Sequence, residues 1–282
     1  MKCDLCPRKC LVDRKKGEKG ICGQTENLKV ARAALHFWEE PCISGDAGSG
    51  AVFFSGCPLH CVFCQNENIA NGTVGKEISL ERLVDIFLEL QEKRANNINL
   101  VTPGHFVPQI VKALDQARKE GLTLPVVYNT SSYETVDTIK MLEGYVDIYL
   151  PDFKYMSPVL SKKYSHAPDY AEVAKAAIAE MVRQTGKAVF VNGDEDNLIL
   201  SGTIVRHLTL PGCMADSMQI LKYLHDTYGD MIYISIMNQF TPLSNLEKYP
   251  ELNRRITDEE YETLVDYAIE IGIENGFIQE GN

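Results

Sequence analysis

The chain has no long apolar run. Its longest uncharged stretch, residues 47–66, is broken by Gly, Pro, His, Gln and three cysteines, unlike a membrane-spanning helix. The N-terminus, Met1-Lys2-Cys3-Asp4, lacks the apolar core of a signal peptide. Basic residues are also scarce: 28 Lys and Arg stand against 39 Asp and Glu, a formal net charge of −11. That balance disfavours nucleic acid as a partner, because neutralising phosphates requires clustered Lys and Arg. The one basic concentration, Arg8 to Lys19, reads as a solvated loop or a docking patch. Tryptophan occurs once, at Trp38, where packing is the expected role. There are no repeats and no low-complexity linker. With 282 residues and an ordinary 45% hydrophobic fraction, the chain can build a full core, as one large α/β domain or a domain with a small appendage. A cytoplasmic protein with neither membrane nor nucleic acid as partner is expected.

Cysteine is abundant by contrast. Seven of the nine fall into two tight groups, which in a long chain without a secretory signal reads as metal binding rather than a disulfide scaffold. The tighter group is Cys57, Cys61 and Cys64, spaced Cys-x3-Cys-x2-Cys directly after the apolar run Ala51-Val52-Phe53-Phe54. Iron–sulfur clusters are normally held by four thiolates, so three on one loop leave one iron open to another ligand. A zinc knot completed by His60 is the alternative, although structural zinc sites usually pair Cys-x2-Cys with a distant second pair. The other group, Cys3, Cys6, Cys10 and Cys22, sits in residues 1–25 among Pro7, Gly17, Gly20 and Gly23, with almost no hydrophobic periodicity. A bound metal would organise such a segment, and the spacing suits zinc or a second iron–sulfur cluster equally.

Residues 26–50 read as a lead-in, with Cys42 as a buried small hydrophobe. From residue 51 to 282 strands alternate with helices. The expected strands are 51–56, 97–102, 124–129, 146–151, 203–209 and 231–237. Amphipathic helices are expected over 79–94, 106–119, 134–142, 169–185, 214–228 and 257–271, with starts at Ser79, Ser132, Asp169 and Thr257. Residues 187–201 read as an inserted hairpin around 192–197, and the tail from Asn275 to Glu280 returns apolar groups to the body. Nearly continuous apolar strands such as Ile98-Asn99-Leu100-Val101 suit a parallel sheet covered on both faces, either a barrel or an open doubly wound sheet. In such folds chemistry sits at the carboxyl ends of the strands. Those ends carry the three cysteines, then Thr102-Pro103-Gly104-His105, Asn129-Thr130-Ser131-Ser132-Tyr133, Asp152-Phe153-Lys154-Tyr155, Arg206-His207 and Asn238-Gln239.

The cysteine loop, with Phe63 just before its third cysteine, resembles that of the radical S-adenosylmethionine (SAM) enzymes. The likeness extends along the chain through Cys3-Asp4-Leu5-Cys6-Pro7-Arg8-Lys9-Cys10, Glu40-Pro41-Cys42-Ile43-Ser44-Gly45, Val127-Tyr128-Asn129-Thr130-Ser131, Asp152-Phe153-Lys154-Tyr155 and Val205-Arg206-His207-Leu208. These stretches are most similar to the pyruvate formate-lyase activating enzyme-like (PflX-like) branch. The resemblance implies a partial (β/α)6 TIM-type barrel preceded by the Cys-rich segment. It implies a [4Fe-4S] cluster on Cys57, Cys61 and Cys64, with SAM on the fourth iron. An electron from a low-potential donor such as flavodoxin or ferredoxin would cleave SAM to methionine and a 5′-deoxyadenosyl radical, which abstracts a hydrogen atom.

Carried over by position, the backbone near Phe63 contacts the adenine. Thr102 and Pro103 stand where the superfamily has a Gly-Gly-Glu stretch, absent here. Asn129, Thr130, Asp152 and Lys154 match positions lining the SAM ribose, the carboxylate and a monovalent cation, with Asn129 in place of an Asp. Ser131, Arg206 and His207 complete the expected cofactor-facing set, and His207 also reads as a structural histidine. Three functions follow from these readings. The chain activates a glycyl-radical enzyme through an open barrel mouth, modifies a small molecule or peptide in a roofed pocket, or is a non-catalytic electron carrier or zinc-stabilised binding protein.

Overall fold

The computed structural model describes residues 2–194, 197–244 and 246–279. In chain order the strands are β1 (Lys29–His36), β2 (Ser49–Phe54), β3 (Lys76–Glu77), β4 (Ile98–Val101), β5 (Val126–Thr130), β6 (Ile148–Pro151), β7 (Val189–Phe190), β8 (Ile199–Leu208), β9 (Tyr233–Met237) and β10 (Gly276–Ile278). The helices are α1 (Pro41–Ser44), α2 (Glu67–Ala70), α3 (Leu80–Glu92), α4 (Val107–Lys119), α5 (Val136–Lys140), α6 (Pro158–Ser165), α7 (Tyr170–Thr185), α8 (Met214–Tyr228) and α9 (Asp258–Glu270).

A parallel run β2-β4-β5-β6-β8-β9-β10 forms the body of the sheet. All six expected strands are in it, and the expected apolar tail supplies the seventh, β10. On the other edge β1 pairs antiparallel with β2, and β3 with β1. The run 29–36 lies within the expected lead-in and carries no clean alternation, which is why it reads as a connection in sequence. Among the described residues the two edges share no ladder, so the barrel is partial. No helix among these residues is long and apolar enough to cross a membrane.

The helices pack where their apolar stripes predict. Leu83, Ile86, Phe87 and Leu90 of α3 are buried under β2 and β4, beside Ile110, Ala113 and Leu114 of α4. On the other half of the sheet, Ala174 and Ile178 of α7, Ile220 and Leu221 of α8 and Leu264 of α9 cover β8 and β9. Ser79 caps α3 by accepting from the Arg82 amide at 3.2 Å. Thr257 and Glu260 form the expected capping box on α9. Ser132 does not cap a helix: it is left-handed (φ +63°), its hydroxyl donates to the Asp152 carbonyl, and α5 starts instead at Thr135. Asp169 does precede α7, but its carboxylate accepts from the Tyr133 hydroxyl rather than from the helix.

The hairpin forms in a modified way. β7 pairs antiparallel with the first residues of β8, so its return arm is the start of a barrel strand rather than an insertion before it. Gly202 makes this possible, since a Cβ there would lie 2.8 Å from the Ala188 Cα. Glu195 and Asp196 of the turn, and Glu280 of the tail, lie outside the described residues. Truncating the fully buried Phe87 to Ala should lower stability by about 3–5 kcal/mol, read as a lower urea midpoint with an unchanged m-value.

Candidate active site

β2 delivers the chain into the cysteine loop through Gly56, whose positive φ (+91°) and close approach to the Cys22 carbonyl admit no side chain. Leu59 and Phe63 are buried, Phe63 edge-on to Tyr155, Tyr164 and Phe240. Burying these apolar residues anchors the loop from which the cysteines reach the cavity. Backbone amides of Leu59 and His60 donate to the Cys57 sulfur, that of Asn66 donates to Cys64, and the Ser165 hydroxyl donates to Cys61 at 3.0 Å. Burial pushes the Cys57 thiol up to about 12, with the neighbouring Cys61 adding to the shift. A thiolate there calls for a cationic partner.

All three cysteines line one cavity of about 730 Å3, within the range of small-molecule sites. Its wall beyond the loop is a buried ionic network. Arg206 on β8 donates through Nε to Asp152 Oδ1 at 2.9 Å, through Nη1 to Glu39 Oε2 at 2.9 Å, and through Nη2 to Asn129 Oδ1 at 2.7 Å. Lys154 Nζ donates to the other Asp152 oxygen at 2.6 Å. Asn99 and Asn129 both donate to Glu39 Oε1. Burial alone would raise Asp152, but Lys154 and Arg206 outweigh it and hold the carboxyl below its usual range. Burial lowers Lys154 in turn, and Asp152 followed by Cys61 brings it back above its ordinary value. Glu40, 8% exposed, is raised by burial and keeps one oxygen without a hydrogen-bond partner.

The family model described as the Radical SAM superfamily covers residues 51–197, more than half of the chain. This chain belongs to the radical SAM superfamily.

It is a radical SAM enzyme, and membership implies a [4Fe-4S] cluster and SAM. Over 275 residues it is 27% identical to uncharacterized protein MJ0674 of Methanocaldococcus jannaschii, spanning 94% of this chain and 74% of that protein. Among solved structures, Streptococcus suis SuiB bound to S-adenosylmethionine superposes with a TM-score of 0.54 at 13% identity, covering 79% of this chain and 48% of that one. Methylornithine synthase (PylB) gives 0.54 at 15% identity, covering 79% and 60%. At such identities these structures share the fold, and the chain spans only about half to three-fifths of their length.

The structure sorts the expected radical SAM site residues. Phe63, Thr102, Asn129, Thr130, Ser131, Asp152, Lys154 and Arg206 line the cavity with the cysteines. Thr102 does so in a left-handed conformation (φ +55°), unusual for a β-branched residue and held by its amide bond to the Asn129 carbonyl. The Thr130 hydroxyl turns away to Glu134 at 2.8 Å, where burial pushes the carboxyl up to about 7. Pro103 is not among the lining residues. Neither is His207: its Nδ1 meets the Phe153 carbonyl and its Nε2 the Ser217 hydroxyl, both at 2.8 Å, so both nitrogens are spent on packing behind the strand.

Two acidic residues of the site, Glu39 and Glu40, are invisible as such in sequence. They belong to the lead-in, and only the β1–β2 pairing carries them under the barrel. Glu39 meets Asn129 and Arg206 directly, so the acidic partner of this corner comes from elsewhere in the chain. Trp38 also departs from expectation: it is 85% exposed at the cavity rim rather than packed.

The N-terminal cysteines lie apart from the cavity but close to its loop. Arg8 donates to the carbonyls of Pro58 and Ser165, both at 2.9 Å, and His60 Nε2 to the Ile21 carbonyl at 2.8 Å. Arg14 is buried and donates to the carbonyls of Thr25 and His105.

Arg206→Met would leave Asp152 and Glu39 buried without their shared guanidinium. It should cost about 3–5 kcal/mol of stability in urea titrations, with Arg206→Lys restoring only part because it lacks the planar fork. A second expectation concerns acid. Burial holds His207 down to about 4 and His105 to about 3, so both are neutral in the folded chain while the unfolded chain protonates them below about 6.5. The folded state therefore loses stability as pH falls from about 6.5 toward 4, with His207 accounting for about 3 kcal/mol. His207→Gln should reduce that slope to roughly half, His105 keeping the rest, and an unchanged slope would assign the acid sensitivity to other groups.

Proposed function

We propose that this radical SAM enzyme abstracts a hydrogen atom from a protein partner, in the manner of glycyl-radical enzyme activation. The observation that carries the reading is the union of three thiols and a Lys–Asp–Arg network in one cavity open at the gap between the sheet edges. Cys57, Cys61 and Cys64 fit a thiolate-held cluster: they face the same space, and backbone amides already aim at two of the sulfurs. When bound, the cluster supplies the electron that cleaves SAM to methionine and a 5′-deoxyadenosyl radical.

The chain's own residues orient and enclose. Lys154 is placed to neutralise the SAM carboxylate through a charge-assisted hydrogen bond, while Asp152 keeps it charged and in place. Thr102, Asn129 and Ser131 offer hydrogen-bonding groups along the wall toward the ribose, and the backbone at Phe63 meets the adenine. The buried aromatic layer under the loop excludes water from its inner face. The protein-partner reading is supported by the cavity lining, where Phe37 and Trp38 from the β1–α1 connection and Ile278 of β10 are all exposed. An apolar rim at an open gap suits an entering polypeptide loop better than a sealed small-molecule pocket. A low-potential carrier such as flavodoxin or ferredoxin supplies the electron.

Reconstituted, reduced protein should convert SAM to 5′-deoxyadenosine, and the Cys57→Ala, Cys61→Ala, Cys64→Ala triple variant should produce none. Lys154→Met should weaken SAM binding about tenfold or more while leaving 5′-methylthioadenosine, which has no carboxylate, unaffected. Product from the triple variant would overturn the cluster assignment. Incubation with a glycyl-radical enzyme encoded in the same genome should give a glycyl-radical EPR doublet, and silence with every such enzyme there would remove the partner assignment.

A further inference from the structure

The four N-terminal cysteines converge. The sulfurs of Cys10 and Cys22 flank Gly20, 3.4 and 3.7 Å from where its Cβ would stand. Cys3 and Cys10 lie within electrostatic reach of Cys22, and Cys10 and Cys22 within reach of Cys6. The segment has little apolar packing of its own: Lys9 and Leu11 adopt left-handed backbone, Leu11 and Ile21 are exposed, and polar bonds such as those of Arg8, Arg14 and the Leu5 carbonyl tie it to the body. A segment without a core of its own folds around a bound metal or stays loose.

A second observation points to sulfur ligands. The Ile21 amide donates to the Cys10 sulfur at 3.2 Å, and the amides of Arg8 and Gln24 donate to Cys6 and Cys22. The cysteine-to-second-residue pattern at Cys6 and Cys22 recurs in the cavity loop, at Cys57 with Leu59 and at Cys64 with Asn66. Amides aimed at the sulfurs are the kind of hydrogen bond that tunes an iron–sulfur cluster.

Spacing separates the two metal classes. A tetrahedral zinc with bonds of about 2.3 Å would draw its four sulfurs to within about 4 Å of one another. Among the described residues no three His, Cys, Asp or Glu side chains stand close enough to hold a single ion, either at the N-terminus or in the cavity loop. The N-terminal set shares that arrangement with the loop whose family ligates a cluster rather than a single ion.

We propose that Cys3, Cys6, Cys10 and Cys22 hold a second iron–sulfur cluster, fully ligated by protein and docked on the loop of the first. With four protein thiolates it leaves no iron for SAM. Its place in the fold is set by the contacts of Cys22 with Gly56, Ile21 with His60 and Arg8 with Pro58, so the loop carrying Cys57 and Cys61 rests on the segment this cluster organises.

Anaerobic reconstitution followed by iron, sulfide and zinc analysis and by EPR of the reduced protein tests this. The full chain should hold about eight irons and about eight sulfides without zinc, and show two signals of which SAM perturbs one. The Cys57→Ala, Cys61→Ala, Cys64→Ala variant should retain about four irons and the SAM-insensitive signal. The Cys3→Ser, Cys6→Ser, Cys10→Ser, Cys22→Ser variant should lose that signal. One zinc per chain beside about four irons in the full chain, or a triple variant empty of iron and sulfide, would overturn the proposal. If a variant does not fold, the full chain decides alone, because about four irons with a single SAM-perturbed signal contradicts the second site. A chain with about eight irons that makes no 5′-deoxyadenosine leaves this cluster standing and removes the activity reading instead.

Discussion

The guanidinium of Arg206 is the constraint on which the site depends. It is bound on three sides, by Asp152 after β6, Asn129 at the end of β5 and Glu39 from the segment before α1. Arg206 and its three partners come from four places in the sequence and meet in the interior of the sheet. A buried cation is tolerable only with its hydrogen bonds and counter-charges in place. The strand order that brings β5, β6 and β8 side by side is therefore also what makes this charge affordable. The fork of Arg206 fixes the orientation of Asp152, and Asp152 in turn holds Lys154 toward the cavity.

Hydrophobic and ionic parts of the design divide the labour by layer. Outside the sheet, the apolar stripes of α3, α4, α7, α8 and α9 bury themselves and set its curvature. Inside, polar groups from successive strand ends face a shared cavity, so their desolvation is offset by one another rather than by water. The cysteine loop bridges the two regimes: Leu59 and Phe63 belong to the aromatic core, and the cysteines between and beside them belong to the cavity. A loop anchored by buried side chains keeps three sulfurs on one side without regular secondary structure.

The N-terminal segment extends this logic beyond the barrel. Its own apolar content is too small to fold it, yet Arg8 and Arg14 reach inward to satisfy carbonyls at the rim, and backbone touches backbone at Cys22 and Gly56. The positive charges that in sequence suggest a solvated basic run are thus partly structural: Arg8 and Arg14 face the protein, and Lys9, Lys15, Lys16 and Lys19 remain exposed.

The sequence alone determined what depends on near neighbours along the chain. The six central strands, the buried face of α3, the capping box at Thr257 and the tight spacing of Cys57, Cys61 and Cys64 are all legible from periodicity and local motifs, because adjacent residues carry them. Tertiary structure decided what depends on distant partners. It made residues 29–36 a strand by giving them β2 to pair with. It brought Glu39 and Glu40 under the cavity, turned His207 away from it and left Trp38 at its rim. It also carried the tail into the sheet as β10. Each of these outcomes rests on a hydrogen bond, ion pair or packed face whose other half lies far along the chain, and such a pairing leaves no periodic trace in the sequence.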